Sequence, residues 1–210
     1  MNITVIGAGN MGSAFVKQLT LAGHQVTVTA RNAGKAKTLA TAHPGATAAN
    51  PAVAAAQAEV VIIATAYEDA VNALLSAGDL QGKVIVDITN PLTPDYMGLT
   101  IGHETSAAEE IAKAVPGADV VKAFNTIFAQ VLAEGGDFGD GRKVTVFIAG
   151  DSEQGKDTAR AVAESMGFAT VDTGGLKNAR YLEPLAGLNI YLGYGAGLGT
   201  QIAPTWMQKA

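Results

Sequence analysis

The chain has 210 residues, of which 48% are hydrophobic and 16% are charged, enough apolar material for one compact core. Its formal net charge of -5 disfavours a nucleic acid or an anionic membrane surface as partner, because both require a concentrated basic face. The sequence contains no cysteine, which excludes disulfides, thiolate metal sites and thiol nucleophiles and is compatible with a reducing compartment. We therefore expect a small-molecule partner and no metal site.

The position of the first apolar run bears on where the protein works. The run Ile3-Thr4-Val5-Ile6 begins two residues after the first methionine, which leaves no space for the charged and apolar regions of a signal peptide. Residues 185–204 carry no charge and are about as long as a membrane span. They also contain Asn189, Gln201 and five glycines, so we expect a buried or subunit-packing helix. The sequence predicts a cytoplasmic protein without a membrane segment.

Short β-branched runs alternate with longer alanine-rich segments, the pattern of parallel strands joined by helical crossovers. The runs predict strands at residues 2–6, 25–29, 59–64, 83–88, 119–123, 143–149 and 169–172. The longer segments predict helices at residues 10–22, 33–42, 50–56, 67–77, 106–114, 125–133, 152–166 and 176–193. We predict an α/β fold with a doubly wound, mostly parallel Rossmann-type sheet in residues 1–175 and a short helical C-terminal extension, 176–210, that serves dimerisation.

Side chains near the helix boundaries add detail to this prediction. Ser106 with Glu109, and Asp151 with Gln154, have the spacing of N-terminal capping boxes. In the C-terminal extension, Tyr191, Tyr194 and Trp206 are predicted to be core or dimer contacts, because aromatic residues at helical spacing usually serve packing.

A glycine turn follows the first predicted strand and opens the first predicted helix. It reads Gly7-Ala8-Gly9-Asn10-Met11-Gly12 and matches the dinucleotide-binding pattern in its expected context. Gly7 would permit the tight turn, Gly9 would leave room for the pyrophosphate, and Gly12 would let the helix approach the sheet. Free N–H groups at the helix start would face the anion. We predict a dinucleotide site over this turn.

The end of the second strand decides between NAD and NADP. An NAD site usually places Asp or Glu about 20 residues past the turn, where it accepts hydrogen bonds from the ribose 2′-hydroxyl. Here Ala30 occupies that place, followed by Arg31, Asn32 and, one helical turn later, Lys35. A basic pair in an acidic chain suits a 2′-phosphate dianion, so the sequence favours NADP(H).

Two further segments end central strands and should lie in the same crevice at the carboxyl edge of the sheet. The first is Ala64-Thr65-Ala66-Tyr67, and the second ends in Asn90-Pro91. The Asn90 amide has the groups to hold a nicotinamide carboxamide or ribose, but an Asn-Pro pair also begins ordinary loops. From these residues alone, both readings of Asn90 stay open.

A string of motifs runs in order along the chain from Ile3 to about Leu188. The motifs are Gly-Ala-Gly-Asn-Met-Gly, Thr-Ala-Arg-Asn, Ala-Tyr-Glu-Asp-Ala, Thr-Asn-Pro-Leu, Ser-Ala-Ala-Glu, Lys-Ala-Phe-Asn-Thr and Asp-Thr-Gly-Gly-Leu. Together they resemble the family of NADP oxidoreductases that depend on coenzyme F420, a deazaflavin. The chain is also similar to the cytosolic reductase domain of the six-transmembrane epithelial metalloreductases, especially through Lys122-Ala123-Phe124-Asn125 and Met166-Gly167-Phe168.

The resemblance implies a role for each matching segment. Ala30, Arg31 and Lys35 would surround the 2′-phosphate, and residues 64–67 would line the cofactor. Asn90 and Pro91 would flank the nicotinamide. Asn125 and Thr126 would lie where a flavin-like ring stacks on it. The deazaflavin enzymes that this chain resembles have His-Thr where this chain has Asn125-Thr126. The metalloreductases, which accept a flavin, have Phe-Asn at the stretch that matches Phe124-Asn125. Both F420 and a flavin therefore remain candidate second substrates.

Transfer of a hydride between two such carriers requires little from the protein beyond stacking them about 3 to 3.5 Å apart without water. This fits a chain with few candidate acids or bases, and we predict no catalytic side chain. His24 and His43 are predicted to be structural, whereas His103 follows Asn90-Pro91 and is a candidate on the second-ligand side. Glu183 is predicted to pair with backbone or a basic group at the sheet end.

The sequence therefore predicts an NADP-dependent oxidoreductase that passes a hydride between nicotinamide and a flavin-like carrier. One alternative is an imine or hydroxy-acid reductase, but those families add a large helical domain and only about 35 residues follow Asp172 here. A second alternative is a non-enzymatic NADPH-sensing module, whose cofactor site would look the same.

Overall fold

The computed structural model describes residues 1–139, 141–206 and 209, and its centre is one eight-stranded sheet. The strands are β1 (Asn2–Ile6), β2 (Gln25–Thr29), β3 (Ala46–Ala48), β4 (Val60–Ile63), β5 (Val84–Asp87), β6 (Asp119–Lys122), β7 (Thr145–Gly150) and β8 (Ala169–Asp172). Their spatial order is β3-β2-β1-β4-β5-β6-β7-β8, and β6 with β7 is the antiparallel pair. All other neighbours are parallel, which confirms the predicted doubly wound Rossmann-type sheet.

Helices cover both faces of the sheet. They are α1 (Asn10–Leu21), α2 (Ala33–Ala42), α3 (Pro51–Gln57), α4 (Tyr67–Leu75), α5 (Ala107–Ala114), α6 (Ala129–Glu134), α7 (Glu153–Ser165) and α8 (Ala179–Ile190). A 3-10 turn (Leu176–Asn178) precedes α8, and a π-helix (Tyr191–Gly195) follows it. The predicted single helix at 176–193 is therefore three segments with different hydrogen-bond spacing.

One further prediction of an element was wrong, and one strand was missed. The helix expected at 125–133 begins only at Ala129, because Phe124 has a φ of 60° and the chain turns before it can enter a helix. Strand β3 was not predicted at all. It has three residues, two of them alanine, and lies at the sheet edge, so it shows neither a β-branched run nor an apolar alternation.

The two predicted capping boxes had different outcomes. Ser106 Oγ accepts a hydrogen bond from the Glu109 backbone N–H at 3.2 Å and caps α5, as predicted. The prediction that Asp151 caps the next helix was wrong. Ser152 is the N-terminal cap of α7, and its Oγ accepts a hydrogen bond from the Gly155 N–H at 3.1 Å. Asp151 Oδ1 instead accepts from the Leu176 N–H at 2.8 Å, so it ties the start of the 3-10 turn to the sheet end.

Three buried aromatic rings connect the first helix to the segment after β6 and to the residue before β8. Phe124 meets Phe15 of α1 edge to face with ring centroids 5.1 Å apart, and it meets Phe168 in the same way at 6.0 Å. All three rings are almost fully buried. Such contacts stabilise beyond the area they bury, so they fix the chain after β6 against the helix that begins at the glycine turn.

Within the described ranges, the structure contains no helix that is both long and apolar enough to cross a bilayer. The aromatic residues near the C-terminus were predicted to be either core or dimer contacts, and they are not core residues. Tyr191, Tyr194 and Trp206 are exposed by 51%, 61% and 70% of their surface. The ring of Tyr194 meets Phe128, and that of Trp206 meets Phe147, on one side only. A dimer contact through these side chains stays a prediction.

Candidate functional site

The carboxyl ends of β1, β2, β4, β5 and β6 meet at one edge of the sheet, because these five strands run parallel. The glycine turn follows β1, Ala30 and Arg31 follow β2, and Ala64 follows β4. Asn90 and Asn125 lie just beyond β5 and β6. The fold therefore brings all the predicted segments to one edge, where the strand order reverses between β1 and β4.

Two glycines of the turn are required by close packing. Gly7 has a φ of 128°, and a Cβ there would lie 2.2 Å from the backbone oxygen of Ala64. A Cβ on Gly12 would lie 2.0 Å from the oxygen of Gly7. Real Cβ atoms do not approach so closely, so both positions require glycine for the turn and the first helix to pack.

Gly9 differs, because a Cβ at this position would meet nothing within 4 Å. Gly9 is the N-terminal cap residue of α1, and its cap has no side-chain hydrogen bond and no acidic residue in the first turn. Ala8 and Met11 are half-buried beside it, and Asn10 is exposed. The turn thus leaves open space in front of the positive end of a helix, where an anion can accept backbone N–H groups.

The segment after β2 presents a basic surface next to this space. The Arg31 side chain is 90% exposed, and its Nη1 lies 3.5 Å from Asp69 Oδ2 in the first turn of α4. Lys35 is exposed on α2, whose N-terminal cap is Asn32 through a 3.0 Å bond from the Lys35 N–H. Asn32 therefore serves the helix with its side chain, whereas Arg31 and Lys35 stay available to an anion.

Residues 64–67 form the passage from β4 into α4. The Ala64 N–H donates to the Ile6 oxygen at 2.8 Å, and Thr65 Oγ1 donates to the Ala66 oxygen at 3.0 Å. Tyr67 begins α4 and is half-buried. Burial, together with the nearby carboxylates of Glu110, Glu183 and Asp87, raises the pKa of the Tyr67 hydroxyl above its usual value, so this group stays protonated at neutral pH.

Asn90 and Asn125 form an amide pair across the ends of β5 and β6. Asn90 Nδ2 donates to the Asn125 backbone oxygen at 2.9 Å, and Asn125 Nδ2 donates to Asn90 Oδ1 at 3.0 Å. A third bond, from Asn125 Nδ2 to the Leu182 oxygen at 2.9 Å, ties the pair to α8. Because two backbone oxygens accept from these amides, the orientation of both side chains is fixed by the network.

Several buried oxygens at the carboxyl edge of the sheet have no hydrogen-bond partner in the part of the chain that the structure describes. They are Asn125 Oδ1, Thr126 Oγ1, Thr89 Oγ1 and Thr29 Oγ1. The Thr126 backbone oxygen accepts from Asn189 Nδ2 at 3.1 Å, which is a second link to α8. Unsatisfied polar atoms are rare in protein interiors, so their concentration at the sheet edge makes this edge a candidate functional surface.

A charge cluster missed in the sequence lies directly behind the amide pair. Lys122 is fully buried, and its Nζ lies 2.7 Å from Asp87 Oδ2 and 2.8 Å from Glu183 Oε1. Burial lowers the pKa of Lys122, but attraction to Asp87 and Glu183 outweighs it and raises that pKa above its usual value. Glu183 pairs with both a basic group and backbone, as predicted, since it also accepts from the Ala107 N–H at 2.9 Å.

The remaining predicted positions are less closely tied to the edge. Pro91 is buried, and its oxygen accepts from the Thr100 N–H at 2.7 Å, which closes the loop after β5. His103 is exposed with a φ of 61°, and its backbone oxygen lies 3.5 Å from Arg180 Nη1. No contact among the described residues joins His103 to the amide pair. His24 is buried beside Ser165, 2.9 Å from its Oγ, and is structural as predicted.

Comparison with known proteins agrees with this geometry. The family profile described as NADP oxidoreductase, coenzyme F420-dependent, matches residues 2–91. These residues run from β1 to Pro91 and include the glycine turn, the basic segment and Asn90. The metalloreductase STEAP3 of Rattus norvegicus is 31% identical over 184 residues, which is 87% of this chain but 36% of that protein. This chain therefore spans only about a third of the metalloreductase.

Two relatives match over nearly their whole length. The F420-dependent NADP reductase of Methanothermobacter marburgensis is 33% identical over 212 residues, covering 91% of this chain and 92% of that protein. A crystal structure from Arthrobacter sp. FB24, described as a candidate F420-dependent NADP reductase, superposes with a TM-score of 0.83 at 30% identity over 96% of each chain. The chain belongs to the family of NADP oxidoreductases that depend on coenzyme F420.

Proposed function

We propose that this NADP-dependent oxidoreductase transfers a hydride between the nicotinamide of NADP(H) and a flavin-like carrier, either F420 or a flavin. The observation that carries the proposal is the Asn90–Asn125 amide pair, fixed at the strand ends beside an open glycine turn. Amides orient a ring by hydrogen bonds and do not titrate near neutral pH. They therefore suit a reaction in which the two carriers supply the chemistry and the protein supplies geometry.

Each segment of the edge has a part in this proposal. The open space at Gly9 and the start of α1 would hold the pyrophosphate, and Arg31 with Lys35 would hold the 2′-phosphate. When bound, NADPH supplies the hydride. Asn90 and Pro91 would orient the nicotinamide end, and Asn125 with Thr126 would face the second carrier. Tyr67 would line the cofactor with a neutral hydroxyl.

The relatives favour F420 as the first carrier to test, because an F420-dependent reductase matches 91% of this chain. The deazaflavin enzymes that this chain resembles have histidine at the position of Asn125, and this difference favours testing flavins in parallel. The experiment mixes the protein with NADPH and F420, FMN, FAD or riboflavin without oxygen and follows oxidation of the nicotinamide. We expect turnover with at least one carrier. Tight NADPH binding with no turnover for any of them would contradict the proposal and favour a sensor.

The Arg31–Asp69 contact leads to a prediction about cofactor affinity. Asp69 lies close enough to Arg31 to compete with a 2′-phosphate, and its carboxylate would repel that dianion. Both side chains are largely exposed, so the effect is screened by solvent. We expect Asp69→Asn to tighten NADPH binding about two- to fivefold, the range of an exposed ion pair, and to leave NADH binding unchanged. Fluorescence titration measures both, and weaker NADPH binding would show that Asp69 positions Arg31 instead.

A further inference from the structure

The buried charge cluster of Lys122, Asp87 and Glu183 has no part in the proposed function described so far. All three side chains are at most 1% exposed. Removing charges from water is expensive, and well-packed apolar residues in such places are often as stable or more so. Stability alone is therefore a weak explanation for such a cluster. The hydrogen bonds that its side chains make to the neighbouring backbone indicate a further role.

One arm of the cluster holds the residue before Asn90. Lys122 Nζ donates to the Thr89 backbone oxygen at 2.7 Å, and Asp87 Oδ1 accepts from the Thr89 N–H at 2.8 Å. Both backbone polar groups of Thr89 are thus bound by charged side chains. Hydrogen bonds to charged groups are stronger than those between neutral groups, so the position of the chain at Asn90 is set by this arm.

The other arm holds the helix that carries a partner of Asn125. Glu183 Oε1 lies 2.8 Å from Lys122 Nζ, and its two oxygens accept from the N–H groups of Ala107 and Ala108 at the start of α5. Glu183 thereby fixes α8 against both β6 and α5. Its neighbour Leu182 supplies the backbone oxygen that accepts from Asn125 Nδ2.

The two arms meet at Lys122, which therefore connects both members of the amide pair. We propose that Lys122, with Asp87 and Glu183, is the positioning element for the nicotinamide end of the cofactor, acting through Thr89–Asn90 on one side and Leu182–Asn125 on the other. The inference rests on the proposed function, because it requires the nicotinamide to lie at the amide pair. Gly9, proposed to face the pyrophosphate, and Arg31, proposed to hold the 2′-phosphate, make no described hydrogen bond to either arm.

The test compares two ligands that share the adenosine 2′-phosphate, NADPH and 2′,5′-ADP, by calorimetric titration. In Lys122→Met we expect the Kd for NADPH to rise about tenfold, roughly the loss of one hydrogen bond, and the Kd for 2′,5′-ADP to stay within about twofold. A loss of the whole fold would weaken both ligands together. The ratio of the two constants therefore separates positioning from a merely structural role.

Lys156 provides a matched control. It is also a buried lysine between two carboxylates, with Asp172 Oδ2 and Glu153 Oε1 each 2.8 Å from its Nζ, but it lies by the edge strand β8. Lys156→Met should leave the binding of both ligands unchanged. If it shifts the ratio as Lys122→Met does, removal of any buried lysine suffices and the inference is wrong.

Glu183→Gln is the second test variant, for use if Lys122→Met does not fold. It retains the shape of the side chain at position 183 and the Lys122–Asp87 ion pair. We expect a smaller change in the same direction, about threefold for NADPH, because one charged partner is replaced by a neutral one. Equal weakening of both ligands, or no change in either, would overturn the inference. A wild-type protein that binds 2′,5′-ADP as tightly as NADPH would instead overturn the placement of the nicotinamide, and with it the proposed function.

Discussion

Gly9→Val is expected to abolish NADPH and NADH binding while the protein stays folded. The backbone of Gly9 is extended, with φ of -88° and ψ of -165°, a conformation that valine adopts readily. A Cβ at this position would meet nothing within 4 Å, so the valine side chain would extend into the open space in front of α1. A cofactor pyrophosphate in that space would lose at least two charge-assisted hydrogen bonds, a loss of more than about 100-fold in affinity.

Gly12→Ala is the matched comparison within the same turn. Its Cβ would lie 2.0 Å from the Gly7 oxygen, so the first helix or the turn must move. We expect this smaller substitution to destabilise the protein by about 1–3 kcal/mol or more, as overpacking does, and to lower the Tm. Thermal denaturation with and without NADPH distinguishes the two variants. A Gly9→Val protein that binds NADPH like the wild type would show that the pyrophosphate lies elsewhere.

Arg31→Ala should separate the two nicotinamide cofactors. The exposed guanidinium has the geometry to bind a phosphate through two hydrogen bonds, and NADH has no phosphate at this position. We expect the Kd for NADPH to rise about 10- to 100-fold, the range for hydrogen bonds to charged groups, and that for NADH to change by less than about threefold. Fluorescence titration of both cofactors measures the difference.

Lys37→Ala is the control for Arg31→Ala. Lys37 is an exposed cation on α2, which begins two residues after Arg31, and its replacement removes the same charge. A general electrostatic attraction of NADPH to a basic surface would make the two variants equivalent. A specific 2′-phosphate site requires a loss in Arg31→Ala that Lys37→Ala does not reproduce. Equal losses of NADPH and NADH in Arg31→Ala would contradict the assignment.

The sequence was sufficient to predict the central strands of the sheet, because these strands are apolar on both faces. Val60–Ile63 and Val84–Asp87 are fully buried, as continuous β-branched runs predict. Local patterns failed where the determinant was distant in sequence. Strand β3 exists because β2 offers an edge, and α6 begins late because Phe124 is held between Phe15 and Phe168 with a positive φ.

The candidate site likewise combines features that a local motif predicts with features that depend on residues distant in sequence. The sequence indicated the glycine turn, the basic segment and the strand ends as candidate site segments, because each is a local motif in a recognisable context. The charge cluster was missed, although Asp87 and Lys122 each end an apolar strand, and the two strands pair in register at these residues. Opposite charges at the ends of neighbouring buried strands are a signal of such a pair, but it requires the strand order. The link to Glu183 requires the packing of α8.

The measurement that most directly tests the central claim is the isotope effect on anaerobic oxidation of NADPH carrying deuterium on one face or the other of its nicotinamide C4. A carrier seated beside Asn125 would receive the hydride from one face only. We therefore expect one labelled form to slow single-turnover oxidation by F420 or a flavin, and the other to react like unlabelled NADPH. Equal rates for both labelled forms and unlabelled NADPH, or no oxidation by any carrier, would contradict direct hydride transfer at this site.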